Sequence, residues 1–176
     1  MKTIICFPPW AGGNHVKNLL EFTTDNFSTY LDLYRGRDNK VHAQDGPNLN
    51  KQKFDQNNIL HGHFGEIMSL RKEIAEVDKR WILISPDTDE CSSILVNRGK
   101  LFALDSYWDN EQVFLYEPHM YNTYFSTPMD NIMNISVYEL FADDIDGVLD
   151  RLNFFLKSNI DKEKAKHLHK LWKAKI

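Results

Sequence analysis

The sequence predicts an α/β fold, a three-layer sandwich of helices about a central, mostly parallel sheet, in a single domain over residues 1–176. Three observations carry this expectation. Short apolar runs rich in β-branched residues, such as Thr3–Phe7 and Trp81–Ile84, read as strands buried on both faces. Each is followed by a turn and then by apolar residues at helical spacing, and parallel neighbours need such crossovers. The 176 residues, 42% of them hydrophobic, suffice to bury one core of that kind.

Taken in order, Thr3–Phe7 forms the first strand and stops at Pro8-Pro9. Ala11-Gly12-Gly13-Asn14 supplies a turn, and Val16, Leu19 and Leu20 mark the helix after it. Residues 35–58 turn polar and read as a surface excursion. Ile59–Phe64 is a second short strand, and Ile67, Leu70, Ile74 and Val77 make one face of a helix over 66–77. Trp81–Ile84 is the clearest strand and ends before Pro86. Asp87 with Glu90 caps a helix running through Cys91, Ile94 and Leu95 to Arg98, with Gly99 as its stop. Val113–Tyr116 and Ile135–Tyr138 are two further strand candidates. Ile145–Leu156 carries a full apolar stripe, and Asp161 caps a last, basic helix. The sheet is expected to have about four or five strands.

The formal charge of −4 gives no general attraction for nucleic acid or an anionic membrane, so neither is an expected partner. No segment approaches the roughly 20 apolar residues that cross a bilayer. The apolar start is too short for a signal peptide, and the two cysteines, Cys6 and Cys91, read as buried free thiols. Both features point to a cytoplasmic location.

The first loop is the leading candidate for chemistry. A glycine turn between a buried strand and a helix leaves backbone N–H groups and the positive end of a helix dipole to hold phosphate or sulfate. Gly12 and Gly13 would permit close approach, and Asn14 and His15 would add side-chain donors. The same glycines also suit a turn that needs them for backbone angles alone. The loop is neither Gly-x-x-x-x-Gly-Lys-Ser/Thr nor Gly-x-Gly-x-x-Gly, which disfavours a nucleotide-hydrolysing loop and a dinucleotide site alike.

Phe7-Pro8-Pro9-Trp10-Ala11-Gly12-Gly13-Asn14-His15 resembles the loop of the sulfotransferase family that cradles the 5′-phosphosulfate end of its donor. Trp81–Asp87 through Ser92-Ser93 is similar to that family's strand and helix holding the donor's 3′-phosphate. Val137-Tyr138-Glu139-Leu140-Phe141 looks like its Tyr-Glu-Asp-Leu strand and the helix beyond. The three occur in the family's order and together span most of the chain. The resemblance implies a P-loop NTPase-like, sulfotransferase-like fold and sulfuryl transfer from 3′-phosphoadenosine 5′-phosphosulfate to a hydroxyl of a small molecule or glycan. Gly12, Gly13, Asn14 and His15 would hold the 5′-phosphosulfate. Ser93 with Arg98 would contact the 3′-phosphate, and His63, just after the second strand, would take the acceptor's proton.

The chain also departs from the family pattern. Pro9 or Trp10 stands where the loop lysine belongs, Lys17 lies one turn into the helix, and Ser85 replaces the strand-end arginine. Arg98-Gly99-Lys100 has the composition of the downstream phosphate motif but not its order or place. Each lost charge-assisted bond costs about 1.5–3 kcal/mol. A non-catalytic binding protein on the same fold is therefore the rival expectation. A glycosyl- or phosphoryl-transferring enzyme is a third, although no paired-Asp metal motif is present. At this length the acceptor site would be abbreviated or completed by a second subunit of a homo-oligomer, with the loop over 35–58 at its border.

His61 and His63 share a strand face, so they also fit a metal pair, but spacing sets no third ligand and no metal is assigned. For His61 a polar residue at a sheet edge is the simpler expectation. His167 and His169 read as solvated among lysines, and Lys162, Lys164, Lys166, Lys170 and Lys173 as a basic face suited to an acidic partner. The aromatics Tyr107, Trp108, Phe114, Tyr116, Tyr121, Tyr124 and Phe125 would cover the sheet or line an acceptor pocket.

Overall fold

A computed structural model of the chain describes residues 1–9, 11–24, 30–32, 46–86, 93, 95 and 116–176. Among the described residues five strands form one sheet: β1 (Lys2–Cys6), β2 (Tyr30–Asp32), β3 (Ile59–Gly62), β4 (Lys79–Ser85) and β5 (Ile132–Ser136). Their order is β2-β3-β1-β4-β5 and every pairing is parallel. The α/β expectation holds, and β1 is central because all five of its residues are buried. The helices are α1 (Gly13–Thr23), α2 (Gly46–Gln56), α3 (Phe64–Met68), α4 (Arg71–Ala75), α5 (Pro118–Phe125), α6 (Val137–Phe141), α7 (Asp146–Leu156) and α8 (Lys162–Lys173).

Alternation along β1 and β4 sorts the helices into two layers. Ile4, Cys6 and Trp81 face one side, where Trp81 packs on Tyr121 and Phe125 of α5 at 4.7 and 4.8 Å between ring centroids. The buried indole N–H of Trp81 donates to Thr127 Oγ1 at 3.0 Å, so its polar atom is satisfied inside the core. Thr3, Ile5 and Arg80 face the other side, which carries α1, α7 and α8. Right-handed crossovers then require the chain to leave β1 toward one face and β3 and β4 toward the opposite one.

Three cations at the amino edge of the sheet close helix C-termini. Lys2 Nζ donates to the carbonyls of Phe54 and Asn57, both at 2.7 Å, at the end of α2. Lys79 Nζ reaches Ala75 and Val77 at 3.3 Å after α4. Arg80 holds Thr3 Oγ1 at 2.9 Å and the carbonyls of Phe155 and Leu156 at 3.4 and 3.1 Å. Each answers the unpaired carbonyls and negative dipole end of its helix. Burial lowers the pKa of all three.

Several boundaries correct the sequence expectations. Part of the polar excursion, 46–56, is the helix α2; Phe54 anchors it, and Asn57 Nδ2 returns to the Lys53 carbonyl. The helix expected over 66–77 is two short ones, because the Ser69 N–H and hydroxyl both return to the Glu66 carbonyl and end the first turn. Ile67, Leu70 and Ile74 nevertheless share one buried face. Tyr116 lies in a helical turn rather than a strand, and α5 occupies a stretch with no assigned element. The last strand runs over 132–136, not 135–138, because Ser136 and Glu139 form a capping box that starts α6. The helix expected from Asp87 to Arg98 lies outside the described residues apart from Ser93 and Leu95, both helical. No helix among the described residues is long and apolar enough to cross a membrane.

Candidate functional site at the carboxyl edge of the sheet

The loop after β1 leaves the centre of the sheet toward the face of α1, whereas α3 and α4, which follow the neighbouring β3, lie on the face of α5. Ligands of open α/β sheets bind at the carboxyl ends of strands at such a switch point. Gly12 adopts φ +85°, which an L side chain rarely accepts, and its carbonyl receives the N–H groups of His15 and Val16 at 2.9 and 3.1 Å. As at any helix start, the first N–H groups have no intrahelical acceptor.

The space beside both glycines is filled. A Cβ on Gly13 would lie 2.1 Å from the Phe7 ring. One on Gly12 would meet Leu140 at 3.0 Å and Trp172 at 3.1 Å. The side of the loop toward the sheet and α8 is thus a packing surface.

Two histidines that the sequence singled out come to this loop from β3. His63 follows the strand directly, as the residue before α3, and its Nδ1–H donates to the Phe7 carbonyl at 2.9 Å. That bond puts the lone pair of the neutral ring on Nε2, as a base requires. Its ring also stands edge-on to Phe7, 5.0 Å between centroids. His61 is fully buried, and its Nε2–H donates to Asn14 Oδ1 at 3.1 Å. It is not at a sheet edge: β2 lies outside β3.

His15 is placed elsewhere. It is 4% exposed, its Nε2 lies 2.9 Å from His169 Nδ1 on α8, and its ring stacks on Trp172 at 4.1 Å and 5°. Burial, and then the neighbouring His169 ring, push its pKa down to about 3. His169 is buried too, against the expectation that it is solvated, because its Nε2–H donates to the Ala142 carbonyl at 2.8 Å. His167 is exposed. Lys17 is buried and ion-paired with Glu21 one turn on.

The second half of the expected donor site is sparser. Ser85 is buried at the end of β4 and donates to Asn134 Oδ1 at 2.7 Å, a neutral pair where the family would have arginine. Ser93 is exposed, and Arg98 lies outside the described residues. On the opposite face, Tyr121 donates to Cys6 Sγ at 3.1 Å, and burial pushes that thiol up to about 12. Such a thiol is inert at neutral pH. Tyr116 is buried near this group, whereas Tyr124 is exposed beside Arg71, 5.5 Å from ring to guanidinium carbon. Tyr107, Trp108 and Phe114 lie outside the described residues.

The basic helix is largely neutralised: Lys162 pairs with Asp150, Lys166 with Asp146 at 2.8 Å, and Lys173 with Asp143 at 3.4 Å. Among the described residues no group of three or more His, Cys, Asp or Glu side chains is placed to hold a metal. No protein-family model, curated protein or solved structure matches the chain.

Proposed function

We propose that the protein is sulfotransferase-like and moves a sulfuryl group from 3′-phosphoadenosine 5′-phosphosulfate to a hydroxyl acceptor at the carboxyl edge of its sheet. One observation carries the reading: the His63–Phe7 hydrogen bond joins the candidate base to the first residue of the candidate donor loop, across 56 positions of sequence. The acceptor oxygen would bond to sulfur as the sulfur–oxygen bond to the donor phosphate breaks, and His63 Nε2 would take the hydroxyl proton. The parallel sheet with the glycine loop leaving its central strand at a switch point supports the same placement. The donor's 5′ end would rest on backbone N–H groups at the start of α1, since the one lysine of α1, Lys17, is paired with Glu21.

A second reading has its own observation. The glycines make room for Phe7, Leu140 and Trp172, and His15 faces α8, which suits a non-catalytic protein that keeps the loop for packing. Calorimetric titration with 3′-phosphoadenosine 5′-phosphate, with ATP as control, separates the two. Selective micromolar binding is expected for the transferase, and His63→Ala should then leave binding intact while lowering turnover by about 10²–10⁴-fold. Absence of binding to either nucleotide overturns the transferase and leaves the packing role.

A further inference from the structure

The contacts between α1 and α8 do more than bury surface. A carbonyl only accepts, so His169 must donate to Ala142 through Nε2, and its neutral ring then accepts at Nδ1. His15 must therefore supply the proton of their shared bond from its own Nε2. The direction of both bonds is fixed by one backbone carbonyl. A proton added at His169 Nδ1 sets two donors face to face; one added to His15 puts a cation in a buried site. Trp172, stacked on His15, also closes over Gly12, where it lies against the very atom that a side chain would need.

We propose that α8 is a proton-sensitive clasp on the glycine loop: the neutral His15–His169 pair and the Trp172 stack hold it over Gly12, and protonation of the pair releases it. This holds whether or not the loop binds a sulfuryl donor. The charged groups on the surrounding elements leave the pair as the sensitive point. On α1 these are Lys17 and Glu21, which pair with each other. On α8 they are Lys162, Glu163, Lys164, Lys166, Lys170 and Lys173, on the turn before α7 they are Asp143 and Asp144, and α7 opens with Asp146. Lys173–Asp143 joins α8 to that turn and Lys166–Asp146 joins it to the start of α7. His15 is a base whose pKa falls from 6.5 to about 3 when covered, so the released form binds the proton that the clasped form refuses. Release is therefore favoured as pH falls below 6.5, by about 30-fold between pH 8 and pH 5 from His15 alone.

The test is hydrogen exchange of the full chain at pH 8 and pH 5, corrected for the intrinsic rate, read by mass spectrometry in peptides covering 162–173, 11–16 and the strands β1 and β4. The expected result is about 30-fold faster exchange in α8 and the loop peptide at pH 5, with the strands still protected. Protection of α8 that persists until the whole chain unfolds overturns the clasp. So does simultaneous loss in α8 and the strands. A His15→Phe/His169→Leu variant should lose the pH response of α8; an unchanged response would assign it to the Asp–Lys pairs and overturn the proposal. Nitrogen-15 spectra of the wild-type imidazoles give a check that needs no variant: neutral rings protonated at Nε2 are expected for both, and an Nδ1–H form of His169 would contradict the bond directions.

Discussion

At Gly13 the chain packs an aromatic ring where every other residue has a Cβ. Gly13→Ala should displace Phe7 and cost about 1–3 kcal/mol, a fall of roughly 2–4 °C in melting temperature per kcal/mol for a chain of this size. Thermal melts of Gly13→Ala, Phe7→Leu and the pair should show a double variant less damaged than the sum; strict additivity would mean that the clash is not with Phe7. Loss of ligand binding in a Gly13 variant would accordingly report a moved Phe7 ring as readily as a blocked anion cradle. The sequence makes both roles of Gly-Gly legible, yet it cannot rank them, because the ring that fills the space is six residues upstream and is folded back by the loop itself. For the same reason His15 reads as a loop donor: its partner is 154 positions away. His63 is better placed by sequence because its position depends only on where β3 ends.

The elements that sequence identifies well are those whose burial is continuous. β1 and β4 are buried along nearly their whole length and their apolar runs show it, whereas α2 has few apolar positions and reads as loop. α5 is hidden for the opposite reason: Tyr121 and Phe125 are spaced for a helix, but they sit in a stretch so aromatic that no period stands out. The cations at the strand starts look like ordinary flanking charge in sequence and prove to be helix caps. Arg80→Met should destabilise the fold by about 1–3 kcal/mol in urea titration, since it strands the carbonyls ending α7. Arg80→Lys should recover only part of this, because a lysine lacks the fork that reaches Thr3 and α7 together. Full recovery by lysine would show that charge alone matters there.

Summed over the molecule, His15 makes stability depend on acid. Its covered pKa lies below its ordinary 6.5, so its contribution is complete above that value and shrinks as pH falls toward about 3. Urea midpoints should therefore drop between pH 7.5 and pH 5, by about 2 kcal/mol of stability from this group, and His15→Phe should flatten that slope. An unaltered slope in the variant would assign the acid sensitivity to other groups. The order of the strands bears on how such a chain is made. β1 is synthesised first but lies between β3 and β4, and α1 finds its partner α8 only after roughly 140 further residues have been joined. At ribosomal speeds of about 5–20 residues per second, His15 and the rest of the α1 face that meets α8 spend some 7 to 28 seconds without that cover. A helix made early in this stretch of chain thus waits for α8 to cover its outer face, and a face left open for that long is the kind of surface on which a nascent-chain chaperone acts.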